Sequence, residues 1–139
     1  MDIGRLIISS IIILLWMVYS MMEGTREAFY YDSVVRSDRS YPNIHWIFFL
    51  ERGVVLLIIG LLTLDIVLPI GLALIFPWFH DGLYYMKRND LEPRIYQKRF
   101  EASSNTSTAF FEMNYLVRSL VCIGGLIFIT VHYLLLIFR

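Results

Sequence analysis

His80 and Asp81 are neighbours in "IFPWFHDGLYYMKR", residues 75–88, where a long apolar segment gives way to aromatic residues and two cations. An imidazole beside a carboxylate supplies the elements of a general base and the acid that orients it. Adjacent positions on a helix point about 100° apart, so the two side chains are not expected to bond each other, and catalysis would need another partner. Trp78, Tyr84, Tyr85, Lys87 and Arg88 around the pair form the aromatic and cationic border typical of a helix leaving a membrane. The sequence therefore favours a polar helix end over a reactive site at His80 and Asp81.

Other polar groups interrupt the apolar segments at Glu51, Arg52 and Arg118. Charges among apolar residues turn away from lipid and pair, and the expected pair is Glu51 with Arg118, because only Glu112 could serve Arg118 from nearby in the chain. His45, His80 and His132 lie at different depths and do not form a metal site, and no His-x-x-x-His, Glu-x-x-His, Cys-x-x-Cys or glycine-rich phosphate loop occurs. No metal or other cofactor is expected. The single cysteine, Cys122, excludes an intrachain disulfide and reads as a packed thiol.

Lipid is the solvent for most of the chain. Of 139 residues 58% are hydrophobic, with a mean hydropathy of +0.62, more than a soluble core of this size requires. Twelve cations balance twelve acids, so net charge offers no reason to expect nucleic acid. A bilayer core of about 30 Å takes about 20 helical residues. Apolar segments of that length predict an all-α, polytopic membrane protein, a four-helix bundle forming one transmembrane domain over 1–139. The spans fall at about 3–22, 45–63, 66–86 and 115–138. The first lacks a small-x-small cleavage site in "YSMMEG" and is expected to remain in the chain. The second and third form a hairpin that turns at "LLTLDIVLP", where Asp65 can cap the incoming helix and Pro69 is tolerated near its start. That turn lacks Gly, Asn and Ser, which keeps a broken or re-entrant segment as the alternative. Pro77 is expected to kink the third span.

Two polar loops, 23–44 and 87–112, connect these spans. They carry Arg26, Arg36, Arg39, Lys87, Arg88, Arg94, Lys98 and Arg99, whereas the opposite side has only Arg5 and Arg139. The excess of cations places both loops in the cytoplasm and both termini across the membrane, with the Asn105-Thr106-Ser107 sequon out of reach of lumenal glycosylation. On the fourth span Arg118, Cys122, Gly125 and His132 follow helical spacing along one stripe, and Gly53 and Gly60 on the second offer an opposing groove. Such small and polar stripes are what membrane helices use for close packing.

A chain made almost wholly of spans has little protein left for a substrate cavity. The leading expectation is a small non-enzymatic membrane protein that acts by assembly, as a homo-oligomer or as an accessory subunit, with membrane lipids around it. A homo-oligomeric pore is the first alternative, and a lipid-modifying enzyme using His80, Asp81 and Glu51 the second. The orientation is directly testable. Cysteines at Ser33 and Ser104 should be shielded from an impermeant thiol reagent in intact cells, and strong labelling of both would reverse the topology.

Overall fold

A computed structural model describes residues 3–36, 45–94 and 113–138. Residues 37–44, the polar stretch 95–112 with its sequon and Glu112, and Arg139 lie outside the described residues. Among the described residues four helices follow one another, α1 (Ile3–Arg36), α2 (His45–Thr63), α3 (Val67–Leu91) and α4 (Tyr115–Ile137). Each is long and apolar enough to cross a membrane, so the described residues form a helical membrane bundle.

At about 1.5 Å per residue, the 19 residues of α2 give about 28 Å, close to the thickness of the hydrocarbon core. The 34 residues of α1 give about 51 Å. Here the structure departs from the sequence reading. Residues 23–36 do not form a loop but continue the first helix, and α3 likewise runs on through Lys87 to Leu91. The backbone of α1 keeps its own hydrogen bonds across this stretch, and its inward face is small and acidic instead of apolar. Ser20, Glu23, Gly24, Glu27, Ala28 and Asp32 are all buried along it.

α3 is the central helix. It lies alongside α1 in parallel, since Trp16 meets Leu72, Glu27 meets His80 and Ala28 meets Arg88. The Trp16 indole N–H donates to the Leu72 carbonyl at 2.8 Å. α4 is antiparallel to α3 and approaches it closely at paired glycines. A Cβ on Gly71 would collide with Ile129, and one on Gly125 would stand 2.8 Å from Leu74 Cβ. Trp16, Leu68, Leu72, Ile75, Cys122, Ile129 and Tyr133 form the buried core, drawn from α1, α3 and α4. Arg118, Cys122 and Gly125 are buried on the face of α4 toward α3. The opposing surface, however, is Gly71 of α3. Gly53 has no heavy atom within 4 Å of its Cβ position, and Gly60 faces Pro69 and the Asp65 carbonyl of its own hairpin. α2 contributes one buried residue, Phe48, while Val55, Leu56 and Ile59 pack partly against the core.

The hairpin turns within Leu64, Asp65 and Ile66. Leu64 adopts a left-handed conformation at φ 50, and the Asp65 N–H donates back to the Gly60 carbonyl at 3.3 Å, the six-to-one closure of a Schellman motif. Asp65 then caps the next helix, its Oδ1 accepting from the N–H groups of Val67 at 2.8 Å and Leu68 at 3.2 Å. The turn needs no glycine because leucine bears the left-handed backbone, at about 1–2 kcal/mol. Its side chain is 81% exposed and gains little in return. Leu64→Gly should therefore raise stability in detergent by about 1 kcal/mol, and Leu64→Val, with its branched Cβ, should lower it. Equal melting temperatures for wild type and both variants would contradict the assigned turn.

Candidate functional site

The polar cluster begins with a missing side chain. A Cβ on Gly24 would run into the His80 carbonyl oxygen, with the Tyr84 nitrogen 3.2 Å away, so α1 and α3 come together nearly backbone to backbone. Glu23 and Glu27, before and after Gly24 on the same buried face, are thereby carried up to His80. Both are 3% exposed.

His80 is 6% exposed and joined through both ring nitrogens. Nδ1 lies 2.8 Å from Asp81 Oδ1, and Nε2 lies 2.8 Å from Glu27 Oε2 and 2.9 Å from Arg52 Nη2. The ring stacks between Phe76 and Tyr84. The bond to Asp81 corrects the expectation from helical geometry. Nδ1 is the ring nitrogen nearest the backbone, and the short aspartate side chain reaches it across the angle between adjacent positions.

Arg52 of α2 supplies the countercharge. Its Nη2 donates to Glu27 Oε2 at 2.7 Å and lies 3.5 Å from Glu23 Oε1, while the guanidinium lies 4.8 Å from the Phe76 ring centroid. Three helices thus meet on one imidazole. The contacts at Nε2 define two proton arrangements. A neutral ring protonated on Nδ1 donates to Asp81 and accepts from Arg52, whereas a protonated ring donates to Asp81 and to Glu27. The cluster can take up one proton by exchanging which neighbour Nε2 engages.

Around this centre, His45 Nδ1 lies 3.3 Å from Glu27 Oε1, and its Nε2 lies 2.8 Å from the Tyr31 hydroxyl. Arg26 bridges Glu23 and Glu51, with Nη2 at 2.8 Å from each. The carboxylate of Glu51 is therefore held by Arg26 of α1 and not by Arg118. Arg118, 1% exposed, lies over the Tyr85 ring at 5.8 Å. Arg88 is also 1% exposed and donates to the Ala28 carbonyl at 3.2 Å. It is buried between α1 and α3 and does not belong to the cationic border. Lys87, beside it, lies over the Phe29 ring and near Asp90.

The sequence reading missed Glu23, Gly24, Arg26, Glu27 and Tyr31 because it placed them in a loop. The available signal was the spacing of Glu23, Glu27 and Tyr31, one helical face. His132 lies elsewhere, at the far end of the bundle. Its Nε2 is 3.0 Å from Asp65 Oδ2, and the Tyr133 hydroxyl donates to the same oxygen at 3.3 Å. Burial pushes the Asp65 carboxyl up. The backbone N–H groups of Leu68 and Val67, with His132, outweigh that and hold it below the usual aspartate range. No group of three or more histidine, cysteine or acidic side chains suited to a metal ion occurs among the described residues.

Comparison with protein-family models, with curated proteins and with solved structures finds no match to this chain. Its function is therefore read from its own geometry.

Removing one member of a buried ion pair leaves the other charge unmatched, a loss of about 3–5 kcal/mol. Glu27→Ala and Arg52→Ala should each destabilise the bundle severely, and the double variant should lose less than the sum. The same cycle on Glu51 and Arg118 should be additive. Denaturant titration of the purified variants checks both, and additive losses for Glu27 and Arg52 would break the assigned pairing.

Proposed function

We propose that this chain is a non-enzymatic integral membrane protein that works by assembly, with further copies of itself or as an accessory subunit of a membrane complex. The observation that supports this reading is the outward face of α2. Ile47, Glu51, Val54, Ile58 and Leu62 follow helical spacing along one stripe. The four apolar members are 48–79% exposed, and the Glu51 side chain is 39% exposed beside a 51% exposed Arg26. Gly53 lies next to the stripe with open space at its Cβ position.

Lipid tails cover the apolar members at no cost, but they cannot solvate the charged pair. A neighbouring helix can, by offering a hydrogen-bond donor or acceptor and packing close to Gly53. Polar contacts of this kind between membrane helices contribute about 0.6–2 kcal/mol each. A catalytic reading of His80, Asp81 and Glu51 has less behind it. Glu51 faces Arg26, and the ring nitrogens and both faces of His80 already have neighbours.

A benzophenone attached to Ile58→Cys in a Cys122→Ser background tests the assignment in native membranes. Illumination should give a protein adduct of higher mass, whereas the same probe at Leu120→Cys on the exposed side of α4 should not. Glu51→Gln combined with Arg26→Gln should weaken the adduct about tenfold, the factor for one lost charge-assisted contact. Adducts with lipid alone at position 58, or equal protein adducts at 58 and 120, would overturn the assembly reading.

A further inference from the structure

We infer that the end of the bundle opposite His80 binds one glycerophospholipid, with its phosphate on Arg5 and an acyl chain along the α2–α3 hairpin. A cavity of about 410 Å³ opens there between α1, α4 and the hairpin turn. Its polar lining is Arg5 and Ser9 from α1, Thr63 from the end of α2, Asp65 from the turn, and His132 and Tyr133 from α4. An apolar groove of about 570 Å³ follows the hairpin, between Leu57 and Leu61 of α2 and Pro69, Ile70 and Ala73 of α3. Cavity and groove share Leu64, Asp65 and Ile66. The two spaces therefore border the same turn.

A chamber with polar groups at a helix end, beside an apolar groove along the same hairpin, matches an amphiphile, with the head at the membrane border and the tail toward its centre. The charge of the head follows from the side chains. Asp65 directs Oδ1 to the Val67 and Leu68 amides and Oδ2 to His132 and Tyr133, so its acceptors serve the protein itself. Arg5 contributes a guanidinium, whose five N–H donors can serve several acceptors at once and match phosphate oxygens in a forked geometry. A cation in the chamber and lipid-facing leucines in the groove select a phosphate ester that carries an acyl chain. Inorganic phosphate alone would leave the groove unused. The chamber meets the α2 stripe at Leu62, and the lipid site does not depend on the assembly reading.

The full chain, purified in mild detergent, is equilibrated with phosphatidylglycerol bearing a diazirine on one acyl chain, illuminated and analysed by peptide mass spectrometry. Adducts should concentrate on residues 57–73. A diacylglycerol with the same photoactive chain should label those residues about tenfold less, because it lacks the charge-assisted contact. Arg5→Gln should cause a similar loss, and Arg5→Lys should restore most of it. Ile70→Trp, which fills the groove and leaves the chamber intact, should remove the adducts even if Arg5 variants fold poorly. Excess inorganic phosphate should displace nothing. Equal labelling by diacylglycerol, adducts spread evenly over the exposed faces of all helices, or retention of adducts in Ile70→Trp would overturn the proposal. Displacement by inorganic phosphate would assign the chamber to a soluble anion and overturn the lipid.

Discussion

The close approach of α1 to α3 at Gly24 is the constraint on which the rest of the structure depends. A membrane bundle gains nothing from burying apolar groups that lipid already accepts, so its helices hold together by tight contact and by polar bonds. Gly24 provides both at one position. Its missing side chain lets α1 rest on the backbone at His80, and the same approach brings Glu23 and Glu27 within reach of the imidazole and of Arg52. Any larger residue there would separate the helices and leave two acids and a guanidinium buried at a distance that no longer compensates their desolvation.

The helices are therefore held in unlike ways. α3 and α4 mesh through Gly71 and Gly125, with Ile129 filling the space a side chain would take. α1 and α3 share the Trp16 bond to Leu72 as well as the glycine contact. α2 has few apolar ties to the core and depends on its turn at one end and on Arg52, His45 and Glu51 at the other. Its attachment adds these polar contacts to the packing of Phe48, Val55, Leu56 and Ile59.

Hydropathy made the four spans and the Asp65 turn legible, because lipid demands long apolar runs and a tight hairpin demands a cap. The same signal hid the cluster. Residues 20–32 follow a helical pattern of buried positions, but those positions hold Ser20, Glu23, Gly24, Glu27, Ala28 and Asp32, which a search for apolar periodicity counts as loop. Arg52 and His80 stood out as charges in apolar surroundings, yet their partners lay in the segment read as solvated. Pairing Glu51 with Arg118 followed from shared depth and from the scarcity of carboxylates near Arg118 in the chain. Depth does not specify which faces meet, and Arg26 was one helix nearer.

The short link between α2 and α3 bears on how the chain enters a membrane. With only Leu64, Asp65 and Ile66 between them, the two helices can enter as one hairpin. Arg52 then arrives at a membrane position that costs an isolated cation about 2.5–3.5 kcal/mol. α1, made first, already presents Glu23 and Glu27 along its inward face. The acids that hold Arg52 in the folded bundle thus lie on the helix that precedes the hairpin in the chain, so that the order of synthesis and the order of charge compensation are the same.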